Sequence, residues 1–98
     1  MYEATEPGVR ENELWSILHQ VNIAHGGAWI DGHMLSSGPR SNPWYQEVTA
    51  RVIEKGDIIA MDTDMIGPMG YMADVSRSWV CANDRNDPVI RDAYRHAW

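Results

Sequence analysis

Apolar residues recur at helical spacing in the first quarter of the chain. They stand at positions i, i+3, i+4 and i+7: Leu14, Ile17, Leu18 and Val21. This periodicity is typical of a helix with one buried face. Glu11 and Glu13 fall in its first turn, where negative charge suits the helix dipole, and Gly26-Gly27 are typical of a helix end. The pattern predicts an amphipathic helix over residues 11–25.

The second half of the chain contains two apolar stretches separated by a tight turn. Residues 58–61 form a continuous apolar run, typical of a buried strand, and they lead into Asp62-Thr63-Asp64. Gly67-Pro68 predicts the turn, and residues 69–80 follow as a second strand. Two strands joined in this way predict an antiparallel hairpin. The predicted fold class is therefore α+β.

Shorter pieces lie between the helix and the hairpin and after it. Residues 28–30 and 33–35 are predicted to be extended around the turn Asp31-Gly32, and residues 36–43 to form a loop. Residues 46–53 suit either a strand or an irregular segment. Residues 88–98 have helical spacing without a stop residue. We therefore expect residues 1–98 to be one partial domain of a longer chain, cut at both ends; the rival is a small domain whose last helix frays.

Charge and composition narrow the possible functions. The chain has 98 residues and a net charge of −6, from 14 acidic and 8 basic residues, with no Lys/Arg cluster. This balance disfavours nucleic-acid or anionic-membrane binding. The single cysteine, Cys81, excludes an intrachain disulfide and indicates a reducing compartment; we expect it to be a small buried hydrophobe. With no signal-peptide pattern and no apolar run of membrane length, we expect a cytoplasmic protein.

Three aspartates dominate the candidate chemistry. Asp62 and Asp64 share a strand face, and the hairpin can bring Asp74 opposite them. Converging carboxylates are costly unless they are protonated or neutralised by a cation, and oxygen ligands suit Mg, Mn, Fe or Zn. The spacing alone leaves a structural alternative open. Asp62 would then cap the turn, Asp64 would bond the Gly67 loop, and Asp74 would pair with Arg77.

Several segments resemble the creatinase, aminopeptidase P and prolidase superfamily of dinuclear metallohydrolases. Residues 56–62 (GDIIAMD) and 70–77 (GYMADVSR) match its paired aspartate motifs. Residues 6–14 (EPGVRENEL) resemble its helix start, and Ser37-Gly38 its S-G loop. The resemblance spans nearly the whole chain and implies part of a "pita-bread" catalytic domain.

Two departures separate this sequence from the peptidases of that superfamily. Their two metal aspartates usually stand eleven residues apart, but the residue eleven before Asp74 is Thr63. They also carry a substrate-binding histidine shortly after the S-G loop, where this chain has Trp44-Tyr45. Both departures argue against ordinary peptidase activity.

Both departures are typical of a narrower group, the DddP-type dimethylsulfoniopropionate (DMSP) lyases of marine bacteria. Residues 36–47 (SSGPRSNPWYQE) and 61–77 (MDTDMIGPMGYMADVSR) resemble that branch. The resemblance implies metal ligation by Asp62, Asp64 and Asp74 at a dinuclear centre of iron, with Mn, Zn or Co as alternatives. It implies cleavage of DMSP to dimethyl sulfide and acrylate. The remaining ligands of the family, a His and two Glu, and its catalytic residue would lie beyond Trp98.

Further residues are candidates for the substrate or for support of the metal ligands. An aromatic face attracts a sulfonium cation, so Trp44 and Tyr45 are predicted to bind the substrate. Arg40 could bind its carboxylate, or could simply lie on the loop surface. Arg77 is predicted to orient Asp74. We expect a small-molecule substrate and a homodimeric parent. The alternatives are a dinuclear Xaa-Pro peptidase and a non-catalytic relative that only binds.

Overall fold

A computed structural model describes residues 1–43, 46–81, 92, 95 and 96. Helix α1 spans Glu11–Ala24, and four strands follow: β1 (Trp29–Asp31), β2 (Leu35–Ser37), β3 (Ile58–Ile66) and β4 (Met72–Val80). Short 3-10 turns occupy Gly38–Ser41 and Pro68–Gly70. This order confirms the α+β class. Trp44, Tyr45 and nearly all of the helix expected over residues 88–98 lie outside the described residues.

Helix α1 ends one residue before the predicted position, and its buried face is rotated. Leu14 is buried, as the apolar pattern indicates, but Trp15 beside it is buried as well and Val21 is 50% exposed. Asn22 takes the inward position in the last turn instead, because its Nδ2 donates a hydrogen bond to the Ile66 carbonyl oxygen at 3.1 Å. A polar contact between the helix and the sheet therefore decides which residue of the last turn faces inward.

The predicted hairpin is confirmed, with β3 as the central strand. Strand β4 pairs antiparallel with the full length of β3, from Ile58↔Val80 to Ile66↔Met72. Strands β1 and β2 pair one after the other with the opposite edge of β3. The turn between β3 and β4 is closed by the Gly67 amide, which donates to the Tyr71 carbonyl oxygen at 2.7 Å.

An extra residue between β1 and β2 changes which face of the sheet their side chains occupy. Asp31 pairs with Asp64 and Leu35 with Met61, so four steps along the chain match three steps along β3. One inserted residue is the definition of a β-bulge, and Gly32 accommodates it with a φ of +72°. Without the bulge, Asp31 and Leu35 would share a face. With it, Leu35 enters the core and Asp31 faces the other way.

The core lies between α1 and one face of the sheet. Its buried members come from α1, from β1, β2 and β3, from the segment before β3 and from the residue after β4: Leu14, Trp15, Ile30, Leu35, Ile53, Ile59, Met61 and Cys81. Cys81 is completely buried, which confirms the expectation that it is a small buried hydrophobe. Burial first, and then the nearby carboxylates of Asp57 and Glu6, raise the pKa of the Cys81 thiol. Within the described part of the chain, no helix is long and apolar enough to cross a membrane.

Residues 46–53, for which the sequence left open a strand or an irregular segment, form an irregular segment. It makes two isolated bridges, Glu47 with Met34 and Val52 with Arg10, and no strand of its own. Its carbonyl oxygens also serve the start of α1, because the Asn12 amide donates to the Thr49 carbonyl oxygen at 3.0 Å. The segment therefore ties the helix start to the sheet edge beside β2.

Candidate functional site

The three predicted aspartates lie on one face of the hairpin. Asp64 pairs directly with Asp74 across β3 and β4, and Asp62 lies two residues further along the same face. Residues that pair directly in a sheet share a face, so the three carboxylates lie on the side away from α1. Ser76, which pairs with Asp62, donates its hydroxyl to Asp62 Oδ1 at 2.5 Å. We call this side of the sheet the carboxylate face.

The register explains why Asp62 and Asp64 flank a threonine. Thr63 pairs with Val75 and is only 4% exposed, on the side that faces α1. In this hairpin a carboxylate at position 63 would enter the core, whereas residues ten and twelve before Asp74 lie beside it. The even spacing, which departs from the peptidase pattern, is therefore the one that regular pairing requires.

A fourth carboxylate, Asp31, joins the three that the sequence indicated. Its Cα pairs with that of Asp64, so Asp31, Asp64 and Asp74 form one row across β1, β3 and β4. Sequence reasoning treated Asp31-Gly32 only as a turn. The residue reaches the carboxylate face because the β-bulge comes immediately after it. The one clue was an acidic residue directly before a glycine between two extended pieces.

The four carboxylates line a single open cavity of 370 Å³, together with Gly32 and Met34. The pKa of Asp64 is raised above its ordinary value of 3.8. Desolvation is the largest cause, and repulsion from Asp74, Asp62 and Asp31 adds to it in that order. A central carboxyl surrounded by like charges holds its proton more tightly. The cavity is therefore an anionic region whose charge is not compensated by the described side chains.

The purely structural explanation for the aspartates is not supported. The Gly67 amide bonds to Tyr71 and not to Asp64. Arg77 donates to the Ser76 carbonyl oxygen at 2.7 Å, and it pairs with Met61 on the face opposite to Asp74. The prediction that Arg77 orients Asp74 is therefore wrong for the arrangement seen here, because residues three apart on a strand point to opposite faces.

The donors suit a divalent cation in kind but do not complete a site. Four carboxylates on one face offer hard anionic oxygens, which Mg, Mn, Fe and Zn all accept. Among the described residues, however, no group of three or more His, Cys, Asp or Glu side chains could hold a metal ion by itself. This chain therefore fits the role of one wall of a metal site, to which other ligands must be added.

Arg40 is engaged away from the cavity. Its Nη1 contacts Glu11 Oε1 and its Nη2 contacts the Glu47 carbonyl oxygen, and Arg40 does not line the cavity. The structure therefore favours the loop role for Arg40 over contact with a substrate carboxylate. Glu11 itself, which the sequence placed in the first helical turn, is completely buried.

Glu11 is the centre of a network that fixes the loop after β2. Ser37 donates its hydroxyl to Glu11 Oε2 at 2.5 Å, and Thr49 donates both its amide and its hydroxyl to Oε1, at 3.0 and 2.9 Å. Arg51 extends the network, because its Nη1 donates to Ser37 Oγ at 2.7 Å and to Asp57 Oδ2 at 2.8 Å. The network connects the helix start, the S-G loop and the beginning of β3.

A row of apolar side chains adjoins the carboxylates on the same face. Trp29 pairs with Ile66, and Ile66 pairs with Met72, one row away from Asp31, Asp64 and Asp74. Trp29 is 55% exposed and Met72 is 68% exposed. Trp29 is not a member of the hydrophobic core. We call Trp29, Ile66 and Met72 the apolar row.

Comparison with known proteins agrees with this geometry. The family model of Metallopeptidase family M24 matches residues 1–98. A dimethylsulfoniopropionate lyase DddP from Roseobacter denitrificans is 52% identical over 69 residues, which are 70% of this chain and 15% of that protein. A dimethylsulfoniopropionate lyase DddP from Roseovarius nubinhibens is 51% identical over 69 residues, 70% of this chain and 16% of that protein. The matched part of the chain therefore spans less than a fifth of the length of these curated relatives.

Proposed function

This chain belongs to Metallopeptidase family M24, and from that premise we propose that it is part of a metal-dependent lyase that cleaves DMSP to dimethyl sulfide and acrylate. The observation that carries the proposal is the Asp62-Thr63-Asp64 segment, whose two carboxylates share one face of the hairpin with Asp74 in the observed register. The names of two relatives at 52% and 51% identity support the same substrate.

We propose that Asp62, Asp64 and Asp74 hold a dinuclear centre, with iron as the first choice and Mn, Zn or Co as alternatives. The set would be completed by a His and two Glu of the longer protein. When bound, the metal would act as a Lewis acid that stabilises the enolate-like charge of an elimination. The carboxylates of this chain would hold that cation, and its charge in turn would offset the repulsion that adds to desolvation in raising the pKa of Asp64.

The reaction itself is a β-elimination. A base removes a proton from the carbon next to the substrate carboxylate, and that electron pair forms the new carbon–carbon double bond. The bond between the β-carbon and sulfur breaks, and sulfur leaves with its electron pair as neutral dimethyl sulfide. No residue of this chain is proposed as the base. Trp44 and Tyr45 remain predicted substrate contacts, and the protein is proposed to act as a cytoplasmic homodimer.

The test is dimethyl sulfide release from DMSP by the natural, metal-loaded protein, measured by gas chromatography. We expect release by the native protein and a loss of at least about 100-fold in Asp64→Ala, because removal of a metal carboxylate disrupts the catalytic ion. Glu54→Gln, an exposed loss of one negative charge outside the cavity, should retain native activity. The isolated 98 residues should be inactive and should bind metal weakly.

A dinuclear Xaa-Pro peptidase is the second candidate, favoured by the family to which the chain belongs. The same preparation distinguishes the two, because a peptidase would hydrolyse a Xaa-Pro dipeptide and release no dimethyl sulfide. Dipeptide cleavage without dimethyl sulfide would refute the lyase proposal. Neither product from metal-loaded protein would favour the non-catalytic binding relative.

A further inference from the structure

Strand β1 brings two chemically different side chains to the rim of the cavity. Trp29 and Asp31 are two residues apart on one strand, so both lie on the carboxylate face, with Cα atoms about 7 Å apart. Asp31 lines the cavity, and Trp29 lies in the adjoining row. The rim therefore has an aromatic ring next to a carboxylate.

The surroundings of this pair are apolar on one side and anionic on the other. Ile66 lies between Trp29 and Met72 in the apolar row, while Asp64 lies between Asp31 and Asp74 in the next row. A ligand spanning both rows would meet methyl and aromatic surface with one part and negative charge with the other. Such a boundary suits a cation whose charge is covered by methyl groups.

Both side chains are available for a ligand. Throughout the described ranges, neither the Trp29 indole nor the Asp31 carboxylate has a hydrogen-bond or ion-pair partner, although both residues are exposed at the surface. Asp31 is also not among the aspartates that we assign to the metal. Its charge therefore remains free to attract a cation other than the metal.

We propose that Trp29 and Asp31 form an onium subsite, which binds the methylated, positively charged end of the substrate beside the metal carboxylates. The indole face attracts the cation through its ring quadrupole, Asp31 balances its charge, and Ile66 contacts its methyl groups. This subsite rests on the proposed function, since it specifies how a sulfonium substrate is selected. It makes Trp29 and Asp31 specificity residues and not catalytic ones.

Binding of two unreactive analogues to the natural metal-loaded protein, measured by calorimetry, tests the subsite. The first is 3-(trimethylammonio)propionate, which keeps the methylated cation but has a poor leaving group. The second is 4,4-dimethylpentanoate, which has the same shape and the same carboxylate but no positive charge. We expect the native protein to prefer the cation. Trp29→Leu should weaken binding of the cation roughly 10-fold, and Asp31→Asn about 3-fold.

The analogue without a cation and two matched variants provide the controls. Asp31→Asn should leave the dissociation constant of 4,4-dimethylpentanoate unchanged within about twofold, since its tert-butyl end has no positive charge for Asp31 to balance. Tyr71→Leu removes another exposed aromatic from the turn before β4, and Glu54→Gln removes another exposed acid; both should keep the native preference. Trp29→Phe keeps an aromatic face and should therefore keep the native preference for the cation.

The outcomes separate this inference from the proposed function. If the native protein does not prefer the cation, or if Trp29→Leu and Asp31→Asn keep the full preference, the subsite is wrong even when dimethyl sulfide is released. If the preference is lost in both variants but the native protein releases no dimethyl sulfide, the subsite stands and the lyase proposal fails. Circular dichroism melting confirms that each variant is folded before its binding is compared.

Discussion

Glu11 and Asp64 are both acidic, yet the structure treats their charges in opposite ways. Glu11 is completely buried and is surrounded by Arg40, Ser37 and Thr49, which donate to both of its carboxylate oxygens. Asp64 faces an open cavity, and the charged side chains that act on it, those of Asp74, Asp62 and Asp31, are all negative. One carboxylate is compensated within the chain, and the other is left without compensation.

The difference shows how a fold separates structural charge from functional charge. Burying a charge is costly, so Glu11 is compatible with folding only because its partners are built in. A repulsive cluster is tolerated on the carboxylate face because water still reaches it, and it gains stabilisation when a cation binds. A compensated acid indicates a role in the fold, and an uncompensated group of acids indicates a ligand.

The largest expected effect comes from removing the compensated charge. Glu11→Ala should lower the free energy of unfolding by about 3–5 kcal/mol, because Arg40 loses its partner and three other donors lose their acceptor. Urea denaturation measures this loss. Glu13→Ala, an exposed acid in the same helical turn, is the matched control and should cost less than about 1 kcal/mol. Equal losses in the two variants would show that Glu11 is not the anchor.

A smaller effect is expected where the Glu11 network is tightly packed. Gly38 has a φ of +54°, and a Cβ built there would lie 2.7 Å from Asp57 Oδ1 and 3.0 Å from Arg51 Nη2. Gly38→Ala should cost about 2–3 kcal/mol, from the left-handed backbone conformation together with displacement of that ion pair.

Gly56→Ala separates these two costs. Gly56 has a φ of +86°, but no atom lies within 4 Å of its built Cβ. Its substitution should therefore cost only the backbone part, about 1–2 kcal/mol. Measured by the same urea titration, a Gly38→Ala loss no larger than that of Gly56→Ala would mean that the Arg51–Asp57 pair adjusts freely.

The smallest effect concerns the uncompensated charge and has the opposite sign. Because the pKa of Asp64 is raised in the folded protein, the folded state binds more protons than the unfolded state between pH 3.8 and the raised value. The contribution of Asp64 to stability therefore falls as pH rises through this window. The destabilisation by ionised Asp64 reaches its full size above the pKa that this carboxyl has in the folded state. Asp64→Asn should raise the melting temperature of metal-free protein at pH 7 and lose that advantage as pH falls towards 3.8.

The comparison of two variants isolates this effect from the other carboxylates. Only the difference in melting temperature between Asp64→Asn and the native protein is informative, because it cancels what the two proteins share. Glu54→Gln, which removes an exposed acid outside the cavity, is the matched control. A melting temperature for Asp64→Asn that is unchanged or lower at pH 7 would show that the repulsion from Asp31, Asp62 and Asp74 does not act on the folded state.

Local sequence determined much of the fold. Apolar periodicity located α1 to within one residue at its C-terminal end, and the apolar run at residues 58–61 with Gly67-Pro68 located the hairpin. The resemblance identified the family, and strand alternation placed Asp62, Asp64 and Asp74 on one face. These features depend on neighbours in sequence or on one short turn, where periodicity and turn chemistry suffice.

Pairing between distant segments decided the rest. The burial of Glu11 depends on Ser37, Arg40 and Thr49, which are 26 to 38 residues away, so its place in the first helical turn did not reveal it. The place of Asp31 depends on a one-residue bulge against β3, and one residue changes the face of every side chain on that side of it. The sequence by itself thus determined which acids could meet in the hairpin. Only the tertiary structure decided that Glu11 is compensated, that Arg40 is engaged elsewhere and that Asp31 joins the cavity, because each depends on a register that no local pattern specifies.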